Sequence, residues 1–87
     1  MATHGTTTYA ILETIYDHWQ VSHKGPTLEE IRATVNLSSP SAVHFHIKKL
    51  EDEGLLSRKA GKHRSMRTTH KGAKLLELMR EFEEFDD

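Results

Sequence analysis

Apolar residues recur at helical spacing in four stretches of the chain, and polar or glycine-rich breaks separate them. In the first stretch, residues 9–19, Ile11, Leu12, Ile15, Tyr16 and Trp19 stand three and four apart, which predicts a helix with one buried stripe. Thr7 or Thr8 is expected to supply its N-cap oxygen. Residues 20–26 are polar and end in Gly25-Pro26, a strong breaker. Thr27 followed by Glu30 forms a capping box, so a second short helix is expected at about 27–35, with Leu28, Ile31 and Val35 on one side. Asn36 stands where the chain must turn, and asparagine tolerates positive φ. Ser39 caps a third helix and Pro40 takes its first position, where a missing N–H costs nothing. That helix, about 40–52, buries Val43, Ile47 and Leu50 and stops at Gly54.

Beyond Gly54 the period changes. Residues 55–60 and 64–69 read as two strands around Gly61-Lys62-His63, giving a hairpin over about 55–69. In this hairpin Met66 is the apolar residue that packs inward, with Lys62 and Arg64 at the tip. A last helix, about 71–85, carries Leu75, Leu78, Met79, Phe82 and Phe85 at helical spacing. The order predicts one mainly α domain spanning 1–87 with a small β-hairpin. Its layout is that of a winged helix-turn-helix: a three-helix core, a two-stranded wing and an extra C-terminal helix.

Composition narrows the chemistry. The 87 residues include no cysteine, which removes disulfides and thiolate metal sites. Apolar runs are short and broken by charge, so neither a signal peptide nor a membrane span is expected, and the cytoplasm is the default location. No glycine-rich phosphate loop or nucleophile–base pair is visible; the expectation is a non-enzyme without a cofactor. Seven histidines invite a metal site, but His44 and His46 are two apart on a helix and point to different sides.

The net charge of −1 conceals a division. Residues 1–43 carry −2, residues 44–74 carry +6, and the tail from 75 onward carries −5. A basic block on the third helix and hairpin suits a polyanion, because the local field outweighs the mean charge. The expected partner is double-stranded DNA, with the third helix in the major groove. Ser39, Ser41, Ala42, His44 and Phe45 are then the base-contacting candidates. Thr27, Lys48, Lys49, Arg58, Lys59, Lys62, His63, Arg64 and Arg67 are the backbone-contacting ones. Phe45 has a second reading as a core residue, if the helix is rolled slightly. The last helix could pair two copies through Leu75, Leu78, Met79, Phe82 and Phe85, or fold back on its own core. A winged helix that binds protein without specific DNA binding is the alternative function.

Residues 9–68 resemble the N-terminal DNA-binding domain of the LexA repressor. The matching pieces are Ile15-x-Asp17-His18, Pro26-Thr27-x-x-Glu30-Ile31, Ser39-Pro40-x-Ala42, His46-x-Lys48-x-Leu50, Gly54, and Gly61-x-x-Arg64-x-x-Arg67. The resemblance implies sequence-specific operator binding through Ser39, Ser41, Ala42, His44 and Phe45, in a repressor. Ser41 replaces an Asn of the family pattern, and His44 and Phe45 each replace a Glu, so a different operator is expected. The self-cleaving protease domain of that family has no counterpart in these 87 residues, so switching by autoproteolysis is not expected of this chain. Thr69-His70-Lys71-Gly72 looks like the exit from the wing in MarR- and PadR-type regulators, where the following helix makes a dimer.

Overall fold

The computed structural model describes residues 7–85, the last three by backbone alone. The order is α1 (Thr7–Ser22), α2 (Leu28–Thr34), α3 (Pro40–Asp52), β1 (Leu56–Ser57), β2 (Arg67–Thr68) and α4 (His70–Phe85). It is a winged helix-turn-helix with an added C-terminal helix. Ile11, Leu12 and Ile15 of α1, Ile31 of α2 and Val43, Ile47 and Leu50 of α3 are fully buried together. Leu55, Leu56, Met66 and Leu76 close this core from the wing and from α4.

The local start and stop signals act as their chemistry requires. Thr27 Oγ1 accepts from the Glu30 N–H at 3.1 Å, and the Glu30 carboxylate accepts from the Thr27 N–H at 2.8 Å. Asn36 adopts φ 59°, and the Leu37 N–H reaches back to the Arg32 carbonyl at 3.0 Å, closing α2. Gly54, with φ 76°, closes α3 in the same way, the Leu55 N–H meeting the Leu50 carbonyl at 3.0 Å.

Helix α1 corrects the expected boundary. It begins at Thr7 and runs to Ser22, so Thr7 and Thr8 lie within its first turn and neither is the cap. Thr8 is buried, and its hydroxyl is hydrogen-bonded to His46 Nδ1 at 2.7 Å. The helix ends where His23 takes φ 59°, a left-handed stop that histidine, like asparagine, tolerates better than most residues.

The wing is the larger correction. Its strands shrink to two residues each, pairing Leu56 with Thr68 and Ser57 with Arg67. Past that point the returning arm spends its backbone groups elsewhere. The Met66 carbonyl accepts from Trp19 Nε1 at 2.6 Å, and the Arg64 carbonyl accepts from the Gly25 N–H at 3.1 Å. Ser65 Oγ stands in for the ladder, accepting from the Lys59 N–H at 2.9 Å and donating to its carbonyl at 3.1 Å. Met66 packs inward as expected.

Thr69 explains the join to α4. Its hydroxyl accepts from the Gly72 N–H at 3.1 Å and donates to the Gly54 carbonyl at 2.6 Å. Gly72 lies so close to the Leu55 carbonyl that a Cβ there would overlap it. Among the described residues, the buried apolar side chain of α4 is Leu76, not one of the expected stripe. Arg80 fastens the helix to α1, reaching Asp17 at 2.9 Å and Glu13 at 3.2 Å while lying over the Tyr16 ring. Among the described residues no helix is long and apolar enough to cross a membrane.

Candidate nucleic-acid interface

Burial of Val43, Ile47 and Leu50 fixes the roll of α3 and so decides which side chains face out. Ser41, His44, Phe45, Lys48 and Lys49 are exposed; Ala42 and Ser39 are half-buried. Ser39 Oγ accepts from the Ala42 N–H at 3.3 Å, so it caps the helix and keeps its hydroxyl proton for another acceptor. Phe45 is 66% exposed, which removes the core reading. Its ring stands edge-on to His46, centroids 5.3 Å apart. The five base-reading candidates therefore share the start and outer face of one helix.

The backbone-contacting candidates divide. Lys49, Lys59, Lys62 and His63 are exposed, the last three around a turn in which the Lys62 N–H meets the Lys59 carbonyl at 3.0 Å. Gly61 takes φ 74° there, the left-handed backbone that favours glycine. Lys48 pairs with Asp52 at 2.9 Å and Arg58 with Glu51 at 3.0 Å. The Asp52 hydrogen bond holds the Lys48 ammonium above its ordinary pKa. Arg67 lies over the Trp19 ring, 4.5 Å from its centroid. Thr27 is half-buried and occupied by its capping box.

Arg64 departs from its expected place at the tip. Its guanidinium turns back to Glu30 at 2.9 Å and to the Gly25 carbonyl at 3.2 Å. Glu30 is held down to about pKa 2, first by the Arg64 hydrogen bond and then by the Thr27 N–H. Between the first turn of α2 and the wing lies an open cleft of about 730 Å³, bordered by Pro26–Glu29 and residues 58–66.

Residues 6–65 match the family described as LexA DNA binding domain. The chain belongs to that family. It is 46% identical over 74 residues to the LexA repressor of Lactobacillus delbrueckii subsp. bulgaricus, covering 83% of this chain and 35% of that protein. Against the LexA repressor of Lactobacillus helveticus it is 48% identical over 68 residues, 76% of this chain and 32% of that one. The LexA repressor of Clostridium botulinum strain Hall is 49% identical over 49 residues, 54% of this chain and 24% of that protein. The chain thus spans about a third or less of the length of these curated relatives.

In this LexA-family domain, sequence reasoning did not single out His18, Trp19 and Glu30, which the structure gathers at the junction of the helical body and the wing. His18 Nδ1 donates to the Lys24 carbonyl at 2.7 Å, and its Nε2 stands 3.8 Å from Glu30. His18, Glu30, Arg64 and Arg67 all lie in the LexA-like motifs, and Trp19 in the apolar stripe of the first helix, but nothing in their spacing tells that they meet. Of the dimer candidates, Leu75 packs against the core of its own chain and Met79 is half-buried. Leu78 and Phe82 are 49% and 70% exposed; the Phe85 side chain lies outside the described residues.

Proposed function

We propose that this domain binds duplex DNA sequence-specifically and acts as a transcriptional repressor in the cytoplasm. Helix α3 enters the major groove, and the wing runs along the sugar–phosphate backbone. The observation that carries this reading is the outward face of α3: Ser41, His44 and Phe45 are exposed while Val43, Ile47 and Leu50 are fully buried. His44 can donate to guanine N7, and Phe45 and Ala42 can pack on a thymine methyl. Lys49, Lys59 and Lys62 hold phosphates directly; Lys48 and Arg58 do so by exchanging Asp52 and Glu51 for phosphate. Each contact contributes about −0.9 to the log–log salt slope, so these three exposed lysines alone set a slope of about −3.

The same reading pairs two copies through Leu78 and Phe82 of α4. Lys71 and Lys74 stand in the first two turns of this helix, and Glu77 and Glu81 follow them. A two-fold antiparallel pairing therefore sets basic starts against acidic ends, and a two-fold protein suits a palindromic operator. Selection of bound duplexes from a random pool at roughly 0.15 M salt tests the proposal. Enrichment of one motif supports it, and a palindrome supports the dimer. Absent or salt-insensitive binding without enrichment overturns it in favour of a protein-binding winged helix.

A further inference from the structure

The wing is attached to the helical body through its returning arm rather than through its two-residue strands. Gly25 and Arg64 are joined in both directions, the Gly25 N–H donating to the Arg64 carbonyl at 3.1 Å and the Arg64 guanidinium to the Gly25 carbonyl at 3.2 Å. That guanidinium also donates to both Glu30 oxygens, at 2.9 and 3.3 Å. Two residues on, the Met66 carbonyl takes the Trp19 N–H, and Arg67 covers the Trp19 ring. Arg64 holds φ 55°, a left-handed conformation that a long side chain adopts only when its surroundings impose it. His18 completes the cluster. Its Nδ1 faces a carbonyl, which only accepts, so Nδ1 carries the proton and Nε2 is left facing Glu30.

We infer that Glu30 is a positioning residue for the wing, and that Arg64 is the strap through which it acts rather than a ligand for DNA phosphate. The planar guanidinium fork matches what it meets, a carboxylate on one side and a carbonyl on the other. To reach a phosphate, Arg64 must leave Glu30 and the Gly25 carbonyl. It would then leave the Glu30 carboxylate with the Thr27 N–H and His18 but without its guanidinium partner. A negative charge there repels the same phosphate. The consequence for DNA affinity rests on the DNA-binding reading above; the strap itself does not.

Glu30→Gln separates the two roles of this residue. Glutamine keeps an oxygen for the Thr27 N–H, so the capping box and α2 persist, while the charge that holds Arg64 is lost. Trp19 is the sole tryptophan and sits on the wing, so its emission reports the attachment, and far-ultraviolet circular dichroism reports the helices. A strap predicts unchanged dichroism, shifted Trp19 emission and several-fold weaker DNA binding with an unaltered salt slope. That sign runs against simple electrostatics, since removing an acid near phosphate otherwise strengthens binding. Stronger binding, with a slope steeper by about 0.9 and unshifted emission, makes Arg64 a phosphate ligand and overturns the inference. Unchanged binding and emission overturn it as well.

Arg64→Lys gives a second test in a residue outside the helical body. Lysine keeps the charge for a phosphate but loses the fork, so a strap predicts that Arg64→Lys weakens binding as much as Arg64→Ala does. Retention of wild-type affinity in Arg64→Lys overturns the inference. If the wild-type domain binds no duplex, the DNA-binding reading fails, and Trp19 emission in the two variants still decides whether Glu30 and Arg64 hold the wing.

Discussion

The Thr8 hydroxyl and His46 Nδ1 lie 2.7 Å apart, joining the first turn of α1 to the middle of α3 across 38 positions. His46 is flanked by Phe45, so this bond helps fix the roll of α3 that leaves Phe45 facing out. Thr8→Val keeps the shape but leaves a part-buried imidazole nitrogen unpaired. The expected cost is about 1 kcal/mol, and a fall in Tm of roughly 4–8 °C for a domain of this size. A thermal melt followed by circular dichroism measures it; an unchanged Tm means that the bond does not hold α3.

Phe45 gives a prediction of the opposite kind, resting on exposure rather than burial. Because its ring is 66% exposed, Phe45→Ala should change stability by less than about 1 kcal/mol. Discrimination between the selected duplex and its variants should fall by about 1–3 kcal/mol if the ring packs on a base. Titration of matched and mismatched duplexes measures this. Equal affinity of both proteins for every duplex removes Phe45 from the base-reading set.

What the sequence disclosed and what it withheld divide by range. The capping box of Thr27 and Glu30, the Ser39-Pro40 start, the Asn36 turn and the buried faces of α2 and α3 are short-range events whose causes lie within four residues. Leu76 was obscured because Leu75, Leu78 and Met79 offer an equally regular stripe, and only the packing of α4 on α1 and the wing selects among them. The start of α1 misled for a related reason: Thr8 looks like a cap until His46, far along the chain, is seen to claim its hydroxyl. Arg64 is the plainest case. Sequence reveals a cation near a turn, but not that Gly25 and Glu30, 39 and 34 positions away, will hold it.

Gly25 gives a steric prediction at the same junction. A Cβ added there would run into the Met66 carbonyl, with the Arg64 carbonyl 3.0 Å away. Backbone atoms cannot swing aside as a side-chain end can, so Gly25→Ala should push the wing off the body. The expected destabilisation is about 1–3 kcal/mol, read from the urea midpoint. Faster amide exchange at Arg64 and Met66 than at Ile47 would localise the damage to the wing.

Acid should loosen the domain in a defined window. Glu30 lies at about pKa 2 in the folded chain, against an ordinary value of 4.5, because Arg64 and the Thr27 N–H favour its charged form. Between these values the unfolded chain binds a proton that the folded one does not. The stability contributed by this carboxylate is therefore fully present above pH 4.5 and is lost as pH falls toward 2. Thermal melts of wild type and Glu30→Gln should differ most above this window and converge below it. Parallel curves across the whole range would mean that the carboxylate does not sense the fold.

Dimerisation through α4 is testable without disturbing the core, because Arg80 fixes this helix from its other side. With Glu13, Asp17 and Tyr16 holding Arg80, the helix cannot readily roll to hide Leu78 and Phe82. Two exposed apolar side chains one turn apart are a small patch, so the proposed dimer should be weak and concentration-dependent. Phe82→Glu places a like charge beside Glu81 and against its own copy in any two-fold pairing. Sedimentation velocity should show a wild-type protein that approaches a dimer as concentration rises, and a Phe82→Glu variant that stays monomeric with an unchanged dichroism spectrum. On a palindromic duplex the variant should lose cooperativity yet keep wild-type affinity for a single half-site. A wild-type protein that remains a monomer at every concentration, and still binds the palindrome cooperatively, would mean that DNA rather than α4 brings the two copies together.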